Sequence, residues 1–419
     1  MAQAVPARLD AHFGVDPPAA DRAQALAPTA ALGDIRIAVH EDLSAIERDW
    51  RTFEPHADGT VFQSFDWLAT WQRLIGVRNG VRPAIVVGRD GTGTILFLLP
   101  LAVRSAGFAR ELAWLGSELC DYNAPLLAAT FSARIDAKCF MALWATIAHC
   151  LQDNPRLRYD FINLEKMPET VGAQPNPMRY LGGTMTPSGA YLTHLTGDWE
   201  TFYVGKRSSA TRRHDRTKRK RLGELGEVKF VNPASDSETL RTLDTLMAQK
   251  ARSFDHMGVA NLFAKPGHAE FYRTLATDPA IRHLVHVSRL DVGATAAAVN
   301  LGLIYRDCYY HLLASYDGDV SRYGPGAAHL HDLLHYAIDR GLHIFDFTIG
   351  DERYKRDWCD TELKLYDYIE PATWRGALVA MPMLAKLRFK RWIKQTPVLW
   401  NAFSAARAFI GSLARHFRR

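Results

Sequence analysis

Three apolar segments in succession, HLVHVSRLDV, TAAAVNLGLIYRD and CYYHLLASYD, occupy residues 283–317 with only short turns between them. Parallel neighbours need a crossover of a dozen or more residues, so turns this short require an antiparallel meander. The helical pattern GPGAAHLHDLLHYAIDRG then leads to the strand HIFDFT. Upstream, a helix is expected through the basic stretch 206–221, followed by the strand VKFVNP and the long helix SDSETLRTLDTLMAQKARSF. Ser235 stands where it can cap that helix, with Glu238 three residues on, a capping-box pattern.

The first region reads on the same plan. DIRIAVH is a strand, LSAIERDWRTF and SFDWLATWQRLIG are amphipathic helices, and RPAIVVGRD pairs with TILFLLPLAVR through the turn DGTG. A helix near 132–152 and the strand YDFINLEK complete it. Helices, a meander, a helix and a returning strand occur twice, which implies an α+β chain of two similar domains. The expected divisions are a disordered lead at 1–33, domains at 34–195 and 196–372, and a helical extension at 373–419.

The chain has 419 residues, of which 47% are hydrophobic and 23% charged, enough to bury a large core. Its net charge of +6 is unevenly distributed. Residues 206–221 hold nine Lys/Arg against one Asp, and residues 373–419 hold ten against no acid. The remaining residues carry 32 bases against 44 acids. Two basic segments on an acidic body point to an anionic partner. No apolar run reaches the roughly 20 residues that span a bilayer, and the N-terminus lacks a signal-type apolar region, so the expected location is the cytoplasm. The five cysteines are scattered and never form a C-x-x-C pair, which argues against a disulfide framework or a zinc site.

Two stretches carry chemistry. Gly324, Pro325 and Gly326 begin a helix with permissive backbone and outward-pointing amides, an anion seat that suits a pyrophosphate. IFDFTIGDERYKRDW, at 344–358, turns from a buried strand into a crowd of ionisable groups. Within FDF, period two sets Asp346 on the face opposite Phe345 and Phe347. His331 and His335 share a helix face at metal-ligand spacing, but no accompanying glutamate stands beside them and their neighbours are leucines, so no metal is expected.

FQSFDWLATWQ, RRHDRTKRKRLGELGEVKF and YYHLLASYDGDVSRYGPGAAHLHDLLHYAIDRGLHIFDFTIGDERYKRDW together resemble the GNAT-superfamily acyltransferases of the CelD/BcsL type, relatives of the FemAB aminoacyltransferases. The resemblance covers roughly residues 34–372 and implies tandem GNAT-like domains with mixed, largely antiparallel sheets. It implies an acetyl-CoA or other acyl-CoA donor held by the second domain, its arm beside Val299 and Leu301 and its pyrophosphate at Arg322, Tyr323, Gly324, Gly326 and Ala327. Pro325 between the glycines departs from the usual loop of that family.

Acyl transfer from a thioester to an amine needs a base, a donor for the oxyanion and an acid for the thiolate. The expected roles are Asp346 or Glu352 as base or amine-orienting carboxylate, with Asp351 on the same turn. Tyr354 would donate the proton, and Lys355 would face phosphate or oxyanion. The resemblance also implies a sugar or lipid-linked glycan acceptor in exopolysaccharide, cellulose or envelope glycan synthesis. The acid-free tail is composed like an interfacial helix, which suggests the inner face of an anionic membrane. Two rivals stay open: a FemAB-like transferase using aminoacyl-tRNA, its RNA phosphates held by residues 206–221, and a non-catalytic sensor of an anionic ligand.

Overall fold

The computed structural model describes residues 29–395; most of the expected lead and the tail beyond 395 lie outside the described residues. In chain order the first half contains strands β1 (Thr29–Leu32), β2 (Ile35–His40), β3 (Ala57–Asp58), β4 (Arg82–Arg89), β5 (Ile95–Ala106), β6 (Ala109–Trp114), β7 (Leu126–Ala128) and β8 (Phe161–Pro168). Short strands β9 (Thr170–Val171), β10 (Gln174–Pro175) and β11 (Thr184–Met185) follow, and its helices are α1 (Glu47–Phe53), α2 (Phe65–Trp71), α3 (Phe131–Arg134) and α4 (Ala137–Asp153). The second half contains β12 (Ala190–His194), β13 (Val228–Val231), β14 (Val285–Val292), β15 (Thr295–Tyr305), β16 (Cys308–Tyr316), β17 (Ile344–Ile349), β18 (Thr361–Leu363) and β19 (Leu365–Pro371). Its helices are α5 (Trp199–Lys206), α6 (Ser209–Gly223), α7 (Asp236–Met257), α8 (His268–Thr277), α9 (Pro325–Asp339), α10 (Arg353–Arg356) and α11 (Trp374–Gln395).

Two mixed sheets result. The first runs β1-β2-β4-β5-β6-β8-β19-β11, and the second β13-β14-β15-β16-β17-β12-β18. The expected meander is β14 to β16, antiparallel throughout, and β17 returns parallel to β16 after the crossover through α9. One strand crosses between the halves: β19 pairs with β8 in the first sheet, while β12 lies between β17 and β18 in the second. Ser235 Oγ caps α7 by accepting from Glu238 N at 3.3 Å, but Glu238 Oε2 accepts from Ala234 N, one residue before the position a capping box would use.

The unbroken apolar run in β5 follows from burial on both faces. Leu98 and Ala102 join a core shared with the second half, whereas Leu96, Phe97 and Leu99 pack in the core under α4. The shared core locks the halves together. Trp67 meets Phe271 edge to face at 4.9 Å between ring centres, and Phe62 meets Tyr310 at 5.8 Å. Arg306, held at φ +56°, donates to the carbonyls of Glu54 and Ala57, each at 2.7 Å. All five cysteines are free.

With one core spanning both sheets, the chain should unfold in a single transition. Trp67→Ala is expected to cost about 3–5 kcal/mol and to lower the melt of both halves together. Denaturant titration followed by fluorescence and circular dichroism checks this, and two separated transitions would contradict it.

Candidate active site

Strands β16 and β17 are paired at Cys308–Ile344, Tyr309–Phe345 and Tyr310–Asp346, and there the pairing ends. Beyond it β16 continues through His311 to Tyr316, and β17 continues through Thr348 and Ile349 without β16, keeping β12 on its other edge. Parted strands leave backbone polar groups that need other partners. Thr348 bends away in the left-handed region at φ +59°, and Lys355 Nζ donates to the freed carbonyls of Thr348 (3.3 Å) and Ile349 (2.8 Å). Glu352 Oε2 lies 3.1 Å from the same ammonium. At Gly350, φ is +141° and a Cβ would come within 2.3 Å of Glu352 Oε2 and 2.8 Å of Lys355 Nζ, so the turn is closed to any side chain.

Asp346 sits at the fork, only 4% exposed. Its Oδ1 accepts from the hydroxyl of Tyr122 at 2.7 Å and from Thr348 N at 2.7 Å. Burial pushes its carboxyl up to about 7, against the pull of the Tyr122 hydrogen bond. Tyr122 comes from the loop between β6 and β7 of the first half, beside Asp121, whose carboxyl burial also raises. Lys166 braces that loop by donating to Cys120 O (2.7 Å) and Ser117 O (3.2 Å).

Phe345 and Phe347 face the other way, into an aromatic cluster with Tyr309, Trp199 and Trp358 under α9. His311, the first residue past the pairing, lies on this side, its ring 5.9 Å from Phe345 and 6.5 Å from Tyr354. Burial, with Lys355 nearby, lowers its imidazole to about 3, so it is neutral. The Asn300 amide satisfies its neighbours when Oδ1 accepts from Tyr309 (2.7 Å) and Gly302 N (3.1 Å) while Nδ2 donates to His311 Nε2 (3.2 Å) and Leu313 O (3.3 Å). That bond fixes the hydrogen of His311 on Nδ1.

At the start of α9, a pocket of about 280 Å³ is walled by Gly324, Ala327 and Ala328, by cations of the α5–α6 region, and by Trp199, Tyr203, His331 and Trp358. Trp358 in the pocket wall belongs to the same buried aromatic cluster as Phe345 and Phe347. Gly324 has φ +70°, and a Cβ there would sit 3.4 Å from Lys218 Cδ. Arg219 is committed to Asp332 through bonds of 3.0 Å. Arg207 stacks on Trp358 at 4.9 Å and keeps its Nε buried without a hydrogen-bond partner. Among the described residues no ion pair joins Arg216 or Lys218. The cradle suits an anion with several oxygens.

The expected residues therefore divide into groups. Asp346, Lys355, Glu352 and Tyr354 gather around the fork, with Tyr354 half-buried against Phe347 and its hydroxyl raised by burial. Asp351 is exposed on the same turn. Gly324 and Ala327 line the pocket, whereas Arg322 and Tyr323 bond each other in the preceding turn at 2.8 Å and Gly326 abuts Tyr316. Val299 and Leu301 are fully buried in the shared core. His331 and His335 pack on Trp199, at 4.4 and 5.0 Å. Sequence reasoning missed Tyr122, Asp121 and His311; the polar residues of LCDYNAP between two apolar strands were the available signal for the first two.

Residues 209–356 match the family description "Acetyltransferase (GNAT) domain". These residues are similar to that domain. Around it the chain has a tandem GNAT-like fold, and FemX shares it with a TM-score of 0.51 at 9% identity, over 76% of this chain and 95% of FemX. A conserved protein of unknown function from Bacteroides thetaiotaomicron aligns at 13% identity and TM-score 0.49, over 79% of this chain and 98% of its own. A tandem GNAT protein from the clavulanic acid biosynthesis pathway aligns at 11% and 0.45, over 81% and 98%. No curated protein matches in sequence. The fork between β16 and β17 lies within the matched residues, the pocket at α9 also draws on Trp199, Tyr203, Arg207 and Trp358 outside them, and Tyr122 reaches the fork from the first half.

The buried carboxyl has a signature in stability. An unfolded Asp releases its proton near pH 4, about three units below the folded value. Its contribution is present below about pH 4 and is lost as the pH rises toward 7. Asp346→Asn should therefore be more stable than the parent at pH 8, by about 2 kcal/mol, and no more stable at pH 4. Urea melts at the two pH values measure the difference, and a pH-independent effect would contradict the assignment.

Proposed function

We propose that this protein is an N-acyltransferase that moves an acyl group, acetyl in the simplest case, from acyl-CoA to an amine. One observation carries the reading: β16 and β17 part around a buried carboxyl titrating near neutrality, and a cationic pocket opens at the start of α9. The acceptor we assign is the amine of an amino sugar in exopolysaccharide or envelope glycan synthesis, following the CelD/BcsL resemblance.

The bound thioester would supply the acyl carbon; its phosphates suit Gly324 and Ala327 and the Arg216 and Lys218 side chains. As the nitrogen–carbon bond forms and the carbon–sulfur bond breaks, one proton leaves nitrogen and one reaches sulfur. Asp346 takes the first. Near pH 7 it is half ionised, and Tyr122 and Thr348 occupy Oδ1, which leaves Oδ2 for the amine. His311, neutral with its hydrogen on Nδ1, donates to the developing oxyanion. Tyr354, held protonated, donates to the leaving sulfur. Lys355 acts by holding the fork open, since its donors are taken by Thr348, Ile349 and Glu352.

Acetyl-CoA turnover with amino-sugar acceptors, read as released thiol, tests this. Asp346→Asn should lower kcat/KM by about 10²–10⁴-fold while leaving acetyl-CoA affinity intact. Tyr122→Phe removes the bond that favours the carboxylate, so the acid limb of the kcat/KM profile should move up by about one pH unit. The pair Arg216→Ala and Lys218→Ala should raise the acetyl-CoA KM about tenfold at constant kcat. Undiminished turnover in Asp346→Asn would remove the mechanism. A melting shift with charged tRNA and none with CoA thioesters would replace it by the aminoacyl-tRNA reading.

A further inference from the structure

Helix α11 docks on the first sheet through one face only. Its entry is pinned where Thr373 Oγ1 donates to Asp160 Oδ1 at 2.8 Å and Ala372 N donates to Asp160 O at 2.8 Å. Gly376 allows the close approach, since a Cβ there would lie 1.8 Å from Asp160 O. Ala380 is fully buried against Phe161, Ile369 and Ala109, and Val379, Met383, Leu384 and Leu387 pack beside it.

The opposite face is also apolar and is covered by nothing in the described chain. Trp374, Leu378 and Met381, at helical spacing, are 75%, 59% and 57% exposed. Phe108, 57% exposed at the turn between β5 and β6, is tied to this face because Arg375 donates to its carbonyl. Three large apolar side chains on one side of a helix, with Phe108 beside them, exceed the scattered exposure of an ordinary surface. Lys386 and Arg388 follow on the same helix, and among the described residues neither forms an ion pair. The buried face of α11 is apolar, and among the described residues its cations Arg375, Lys386 and Arg388 form no ion pair with the body.

We infer that the exposed face of α11, with Phe108, is a docking surface for an anionic lipid bilayer. Trp374, Leu378, Met381 and Phe108 would enter the boundary between headgroups and acyl chains, and Lys386 and Arg388 would meet lipid phosphates. Charge selects this occupant: from residue 373 to the end of the sequence there are ten bases and no acid, a composition that favours a negatively charged surface. No helix among the described residues is long and apolar enough to cross a membrane, so contact of this kind is at the surface. The inference does not depend on the reaction proposed above.

Co-sedimentation of the full chain with vesicles tests it, comparing phosphatidylcholine alone with phosphatidylcholine containing phosphatidylglycerol. The parent should bind the mixed vesicles and release them as salt rises. The triple variant Trp374→Glu, Leu378→Glu, Met381→Glu, in positions already exposed to solvent, should keep its melting temperature and lose about tenfold or more in partitioning. Equal binding by the triple variant would overturn the proposal and assign any lipid affinity to residues beyond 395. Equal binding to both vesicle types would overturn it too, as would a parent that dimerises through this face in sedimentation and fails to bind lipid.

Discussion

The end of pairing between β16 and β17 is the constraint on which the rest of the structure depends. Two parallel strands that separate inside a protein strip hydrogen bonds from both edges, and buried backbone groups left alone cost about 1–3 kcal/mol each. The chain meets that cost with charge. Lys355, buried and donating to Thr348 and Ile349, replaces the missing neighbour strand, and Glu352 balances the ammonium. The dense ionisable stretch after an apolar strand is therefore largely a device for ending a strand early in a dry place.

Once the fork is open, its two sides acquire different chemistry. The face of Asp346 looks to the first half, where Tyr122 and Asp121 make it acidic and proton-accepting. The face of His311 and Phe347 looks to α9 and the cationic pocket. Side-chain alternation along β17 sets the Asp346 carboxyl on one face of the sheet and the aromatic cluster with Trp199, Tyr203 and Trp358 on the other.

How much of this the sequence could reveal depends on range. Period-two alternation and short turns made the meander, α9 and β17 legible, because those signals lie within a few residues. The opposition of Asp346 to Phe345 and Phe347 was legible for the same reason. Tyr122 was not, since 224 residues separate it from Asp346 and no local pattern encodes such a meeting. Lys355 was visible as a charge, but its engagement with two strand carbonyls could be seen only once the fork existed. The pairing of β19 with β8 escaped as well: a seven-residue alternating strand announces its own form and says nothing about its neighbour.

That exchanged strand bears on how the protein comes into being. A ribosome delivers Pro168, the end of β8, roughly 200 residues before Leu365, and at ordinary elongation speeds the interval is about 10–40 s. Throughout it the nascent first sheet presents an open edge to the cell, a standing invitation to foreign strands. Completion of one half thus waits on synthesis of nearly all the other, and the newborn chain needs shelter at β8 long before the first sheet can close.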